Sequence, residues 1–408
     1  MSAALDKRPI LYLFTSEFPY GNEVFVENEM ATLCERFRKV YIIPALANGP
    51  ANSRLPDNAE LILLKGHYSK GQKVSALLKN LILLFTILRH ERRYSRQQAM
   101  AKKSRKQNFF LLLDLFLKAE ELKPFIRQGQ AHFYSYWFSN EATLLAILKK
   151  QGHITNYVSR AHGFDLYENN GKENYIPFRT FQLSQADKVF CISKTGMNYL
   201  QALYPQYADK IRTAYLGVYH HGLNPFDAQQ LVVVSCANIV AVKRVHLLVQ
   251  ALKTVQVPMT WFHFGDGNLR AGIEALAGSL PPHIRVQMMG KISHSELMAF
   301  YKKQPVSVFV NTSISEGIPV SIMEAISFGI PVIATDVGGV SEIVTSRTGV
   351  LIDAGFEPEE LGQLLNNFSG SALHAPAFRE GVRAFFAAHF SAEHNYPAFA
   401  DQLLSLKV

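Results

Sequence analysis

At 408 residues, with an ordinary apolar share of 48%, the chain has the length of two or three domains and enough apolar side chain to give each a core. Its net charge of +9 is concentrated in residues 65–106, which hold twelve Lys or Arg against the single acid Glu91. The rest is close to balanced, which argues for a local anionic partner and against a coat for nucleic acid. Cys34, Cys191 and Cys236 are far apart and odd in number. They have neither disulfide nor zinc spacing and fit a reducing compartment. Residues 1–14 lack the long apolar stretch and cleavage site of a signal peptide. The longest apolar run, 81–88, is far below the roughly 20 residues that span a bilayer. The expectation is a cytoplasmic protein, soluble or peripheral to a membrane.

Short apolar runs alternate with helical patterns along the whole chain, the signature of parallel α/β units. The pattern predicts strands at 10–14, 40–44, 61–64, 132–136, 156–160, 188–192 and 212–215. After a break at 216–230, where Gly217, Gly222, Asn224 and Pro225 interrupt it, strands follow at 231–237, 260–265, 285–290, 306–310, 331–335 and 349–352. Two doubly wound halves with a ligand cleft between them is the architecture this implies. A last helical pattern covers 390–406.

In the first half, the stretch after strand one carries a single Gly21, then Glu23, Glu27 and Glu29, which are either acceptor-side or solvated; helical spacing puts Glu23 and Glu27 on one face. The basic segment 65–106 brackets an apolar stretch at 74–88. It reads either as an amphipathic helix on an anionic membrane surface or as a helical insertion whose apolar face is core. Ser159-Arg160-Ala161-His162-Gly163-Phe164-Asp165 ends a strand. A neutral imidazole at such a strand end can hydrogen-bond a ligand, whereas Arg160 and Asp165 serve either the same pocket or a structural ion pair.

In the second half, Asn238 and the pair Lys243-Arg244 lie between a strand and a helix, where fixed cations and amides would stabilise a leaving anion. Gly265-Asp266-Gly267 is a turn at the next strand end, structural or ligand-adjacent. The most informative stretch is Ser315-Glu316-Gly317-Ile318-Pro319-Val320-Ser321-Ile322-Met323-Glu324-Ala325, followed by Gly329-Ile330-Pro331 and Gly338-Gly339. Pro319 suits the first helical position. The free amides after it, on Val320 and Ser321, form an anion or sugar-oxygen site. Glu316 precedes the helix and Glu324 lies about a turn and a half into it, so the two carboxylates reach different points of one ligand.

This Glu, seven residues, Glu arrangement resembles the donor-site signature of family 4 glycosyltransferases, which are retaining enzymes of the GT-B fold. The resemblance is specific from 311 to 343, good from 231 to 252 and loose before 156. It implies an α/β GT-B architecture with an acceptor-side Rossmann-like domain (1–216, with a basic helical insertion at about 65–110), a donor-binding domain (217–389) and a helix (390–408) crossing back to the first. It implies that Glu316, Gly317, Ile318 and the following amides contact the donor sugar and that Glu324 binds the ribose. Lys243 takes the diphosphate-binding position, with Asn238 where an Arg is usual and Arg244 as the substitute cation. Gly265, Asp266 and Gly267 lie near the base, and His162 faces the sugar.

The implied activity moves a sugar, with retention and without a metal or other cofactor, from a UDP- or GDP-sugar to a saccharide or lipid-linked acceptor. The implied setting is bacterial surface polysaccharide or lipopolysaccharide synthesis. A nucleotide-sugar epimerase, a phosphorylase and a non-catalytic nucleotide- or partner-binding protein are the alternatives.

Overall fold

The computed structural model describes residues 6–407 except Asn22, Ser53, 98–101, 128–129 and 169–174, and it leaves out the side chains of His90, 92–97 and 102–104. Those parts of the basic segment therefore lie outside the described residues. The chain divides into two compact units, Met1–Ala214 with Tyr396–Val408, and Tyr215–Asn395.

The first unit runs β1 (Ile10–Thr15), α1 (Val24–Arg36), β2 (Lys39–Pro44), β3 (Ala59–Leu61), α2 (Lys70–Lys79), α3 (Leu81–Gln97), α4 (Lys102–Leu122), β4 (Ala131–Ser135), α5 (Asn140–Lys150), β5 (Val158–Ala161), α6 (Arg179–Gln185), β6 (Lys188–Cys191), α7 (Lys194–Leu203) and β7 (Ile211–Thr213). Its strands form a parallel sheet in the order β3-β2-β1-β4-β5-β6-β7. Both faces of β1 are covered, Tyr12 and Phe14 by one core, Leu11 and Leu13 by another. A strand buried on both sides has to be apolar throughout, which is why it was legible as a run rather than an alternation.

The second unit runs β8 (Leu231–Cys236), α8 (Val245–Leu252), β9 (Met259–Phe264), α9 (Arg270–Ala277), β10 (Ile284–Gly290), α10 (His294–Lys303), β11 (Val308–Asn311), α11 (Val320–Ser327), β12 (Val332–Thr335), α12 (Val340–Ile343), β13 (Gly349–Ile352), α13 (Pro358–Asn366) and α14 (Pro376–His389). Its parallel sheet has the order β10-β9-β8-β11-β12-β13, repeating the first unit's pattern without a counterpart of β7. A last helix, α15 (Ala392–Leu404), starts in the second unit and from Tyr396 belongs to the first. There Phe399, Ala400 and Leu403 complete the core around Leu11, Leu13 and Tyr134. Two Rossmann-like sheets and this returning helix are the GT-B fold.

Each predicted strand is present within about two residues of its expected place, except that β3 ends three residues before the end of the expected 61–64 and shares only Leu61 with it. The apolar stretch 74–88 is broken rather than continuous. Asn80 is buried, donates to the Ala76 carbonyl at 2.8 Å and accepts from Gln151, and α2 meets the first part of α3 at a 70° bend there. One face of this corner is core through Ala76, Leu84 and Ile87, while Val74, Leu78, Ile82 and Phe85 face outward, Ile82 86% and Phe85 63% exposed. The core reading holds for the first of these faces, and the second is apolar and exposed. Among the described residues no single helix is long and apolar enough to cross a membrane; only the bent pair passes by length and composition.

Candidate active site

In a sheet of this topology the loops leaving two neighbouring strands part at one point, and ligands bind outside the carboxyl ends of the strands there. In the second unit that point lies between β8 and β11. The two loops are knitted together: the Ile314 amide donates to the Val242 carbonyl at 2.9 Å, and the Thr312 hydroxyl donates to the carbonyls of Lys243 and Arg244, each at 3.1 Å.

Arg244 occupies a left-handed backbone position (φ 47°), and its guanidinium donates to the carbonyls of Thr312, Ser313 and Ala354 at 2.8, 3.3 and 2.6 Å. Three of its five N–H donors therefore build the loop, a structural part beside the substitute phosphate cation expected of it. Asn238 is exposed at the end of β8.

Lys243 is the cation that faces the site. Its Nζ lies 2.6 Å from Glu316 Oε1, with the carboxylate nearly buried and Asn311 Nδ2 3.3 Å from the same oxygen. Asn311 is in turn held by the Ser313 amide, which donates to its Oδ1 at 2.9 Å. Pro319 caps α11 rather than opening it, one residue short of the expected start. The first bond of the turn runs from the Ile322 amide to the Pro319 carbonyl, so the amides of Gly317, Ile318, Val320 and Ser321 come ahead of the helical ladder. Gly338 explains the glycine pair downstream. It sits at φ 55°, where a side chain would run into the Glu316 carbonyl, and the Gly339 amide donates to Gly317 at 2.8 Å.

Glu324, buried in α11, has its Oε1 3.1 Å from His294 Nε2. His294 opens α10, fixed there by the Ser293 and Glu296 capping box. Sequence reading missed this residue. The box marks the helix start, but nothing in the spacing pairs His294 with a carboxylate thirty positions away.

Of the two readings of the Gly265-Asp266-Gly267 turn, the structural one accounts for its glycines. Gly265, at φ 134°, and Gly267 press against the backbone of Ala237 and Ile239, leaving no room for a side chain. Asp266 is exposed and engaged with the Gly267 amide and Arg270.

In the first unit, β5 delivers Arg160 and His162 to very different surroundings. Arg160 is wholly buried, 2.8 Å from Glu29 and 3.9 Å over the ring of Phe399. Neither Arg160 nor Glu29 can touch a ligand, which corrects the sugar-side expectation for the first and the acceptor-side or solvated one for the second. Glu23 is also buried. It accepts from the amides of Glu17 and Phe18 and from Trp137 Nε1, and so organises the turn after β1. Gly21 closes that turn, its amide donating to Glu17 at 3.0 Å with no room for a side chain.

His162 is 6% exposed between Tyr136 and Trp137, with ring centroids at 5.2 and 4.2 Å. Burial pushes its pKa down against the opposing pull of Asp165, which keeps the imidazole neutral near pH 7. Asp165 Oδ2 is 3.6 Å from Nδ1, too far to hydrogen-bond, and neither ring nitrogen has a partner among the described residues. Asp165 instead accepts from the amides of His162 and Phe138. It positions the loop rather than meeting a ligand.

Among the described residues no three His, Cys, Asp or Glu gather as a metal set, and the three cysteines are unpaired.

The sequence family described as Glycosyl transferases group 1 matches residues 221–381, which span the whole of this second-unit site. The amylovoran biosynthesis glycosyltransferase AmsK of Erwinia amylovora is 23% identical over 96% of this chain and 98% of its own. Among solved structures, HepE from Anabaena in complex with UDP superposes with a TM-score of 0.67 at 16% identity, over 98% of this chain and 100% of that one. Sucrose-phosphate synthase from Thermosynechococcus elongatus does so with a TM-score of 0.71 at 16% identity, over 97% and 98%. Fold, family match and the Lys243–Glu316 site converge: the chain is a glycosyltransferase of the GT-B fold, related to the group 1 glycosyl transferases and to enzymes of bacterial surface-glycan synthesis.

Proposed function

We propose that this enzyme transfers a sugar, with retention, from a nucleoside-diphosphate sugar to a saccharide or lipid-linked saccharide in surface-glycan synthesis. The observation that carries the reading is the Lys243–Glu316 pair, 2.6 Å apart beside the amides that open α11. The diphosphate gains charge as its bond to the sugar breaks, and an ammonium and free amides aimed at it lower that barrier. Glu316 and the amides of Gly317 and Ile318 hold the sugar, those of Val320 and Ser321 the phosphates, and Glu324, steadied by His294, the ribose. The bond from the anomeric carbon to the diphosphate breaks, the acceptor oxygen bonds to that carbon from the same face, and its proton passes to a phosphate oxygen. His162, neutral and with both ring nitrogens unpartnered, is the group for a sugar hydroxyl. The first unit takes the acceptor side and the second the donor side. UDP is the first nucleotide to try, since HepE was solved with it, and GDP the second.

The exposed Val74, Leu78, Ile82 and Phe85, with the exposed Lys70, Lys73, Lys79 and Arg89 nearby, give the first unit a face suited to an anionic membrane surface. It would bring a lipid-linked acceptor within reach from the cytoplasmic side.

The donor assignment is tested by thermal shift with UDP, GDP, ADP and CMP, using Glu324→Ala as the control. A nucleotide at 100 times its dissociation constant adds about 2.7 kcal/mol to the state that binds it, a rise of several degrees in a unit of this size. One nucleotide should give the shift, and the control should lose it. No shift with any of the four would leave the second-unit site without its ligand and sink the reading.

A further inference from the structure

The first unit has a switch point of its own, between β1 and β4, where the strand order reverses as it does between β8 and β11. The loops that leave these strands open onto a cavity of about 430 Å³, lined by Ser16 after β1, Leu46 after β2, and Trp137 and Ser139 after β4. That is within the size range of ligand sites, roughly 300–1,000 Å³. The opposite wall is one face of α4. Leu111, Asp114, Leu115 and Lys118 follow at the spacing that puts them side by side.

Two features of the lining are unusual for a gap left by packing. Phe164 is 58% exposed, and its ring lies 4.8 Å from that of Trp137, so an apolar aromatic surface stands open at the cavity. The carboxylates of Asp114 and Glu141 also line it, and among the lining residues the only cation is Lys118, already 3.1 Å from Asp114. Glu141 accepts from the Ser139 hydroxyl behind it.

From this chemistry we infer that the cavity is a saccharide site that takes an uncharged sugar ring and rejects an anionic one; the inference rests on the glycosyltransferase reading and makes the cavity the place of the acceptor. A pyranose presents an apolar C–H face, which fits against Trp137 and Phe164. Its rim carries hydroxyl donors, which fit the acceptor-only carboxylates of Asp114 and Glu141. A uronate or a sugar phosphate would place its charge beside two carboxylates, with the one ammonium already engaged. Like charge in a partly enclosed site is strongly disfavoured.

The experiment uses the full chain, with saturation-transfer NMR for the sugars and thermal shift for the nucleotides. The probes are the methyl glycosides of glucose, galactose, mannose and N-acetylglucosamine, with methyl glucuronide as the anionic case. At least one neutral glycoside should bind and the glucuronide should not. Phe164→Ala should weaken neutral binding by about tenfold, and Asp114→Lys should admit the glucuronide. Phe164 is exposed and Asp114 partly so, and an unchanged melting point shows that each variant is folded. The proposal is overturned if the glucuronide binds the wild type as well as the neutral sugars, or if both variants bind neutral glycosides as the wild type does. Nucleotide binding without any glycoside binding would sink this proposal and leave the donor reading standing. Glycoside binding without nucleotide binding would do the reverse.

Discussion

The two units repeat one topology and spend their charged residues in opposite ways. In the second, the loops after β8 and β11 bring Lys243 and Glu316 together where a ligand can reach them, while Arg244 beside them donates to three carbonyls. In the first, the charges near the strand ends are turned inward. Glu29 and Arg160 neutralise each other in the core, and Glu23 collects two amides and an indole. What remains open there is the ring of Phe164, packed on Trp137, with the buried His162 against the same indole. Position at a strand end therefore does not by itself make a charged residue functional. Whether it stays accessible does.

The sharpest way to break this contrast is Arg160→Ala, which leaves Glu29 buried without its counter-charge. The expected loss is about 3–5 kcal/mol of first-unit stability, read by calorimetry. Exchanging both residues, Glu29→Leu with Arg160→Met, should recover much of it. If Arg160→Ala stays as stable as wild type and only slows transfer, Arg160 is a site residue and the contrast is wrong. Next in size, Lys243→Ala or Glu316→Ala should reduce transfer on the order of 10²–10³-fold with the melting point little changed. A loss of folding instead would make the pair structural, like its first-unit counterpart.

A third effect is one of pH and is read in the second unit. Burial pushes the His263 imidazole down to about 4, with Nδ1 2.8 Å from the Ser235 hydroxyl. The unfolded chain, with His near 6.5, takes up the proton first as the pH falls. Second-unit stability should then drop between about pH 6.5 and 4, by about 3 kcal/mol in all. His263→Gln should flatten that slope in acid melts, and an unchanged slope would place the acid sensitivity elsewhere.

The smallest effect on the fold belongs to the corner of α2 and α3, which the second unit lacks. Ile82→Glu with Phe85→Glu should change stability by no more than about 0.5 kcal/mol while abolishing cosedimentation with phosphatidylglycerol vesicles. Equal sedimentation of wild type and variant would remove the membrane surface as a partner.

Most of the fold was legible because parallel strands covered on both faces are short unbroken apolar runs, and these can be read without knowing their neighbours. The Glu316–Glu324 frame was legible for a related reason. Its glycines and proline are dictated locally, Gly338 by the Glu316 carbonyl and Pro319 by the helix it caps. What could not be read were partnerships across the sheet. Helical spacing paired Glu23 with Glu27, and nothing in it told that Arg160 waits for Glu29, 131 positions on. The same limit hid His294 beside Glu324 and the three carbonyls around Arg244. Asn80 shows another limit, since a single polar residue inside an apolar run bends the chain only because Gln151 and the Ala76 carbonyl receive it.

The passage of α15 from one unit to the other has a bearing on the order of assembly during synthesis. Domains ordinarily fold in the order in which the ribosome delivers them. Here the second unit is one continuous stretch, Tyr215–Asn395, whereas the first cannot be sealed until Tyr396 and the residues beyond it have emerged. Phe399 among them supplies the ring over Arg160. The nascent chain should thus carry a finished second unit alongside an unsealed first one, and a ribosome stalled before Tyr396 would present the Glu29–Arg160 pair without its lid to chaperones and proteases.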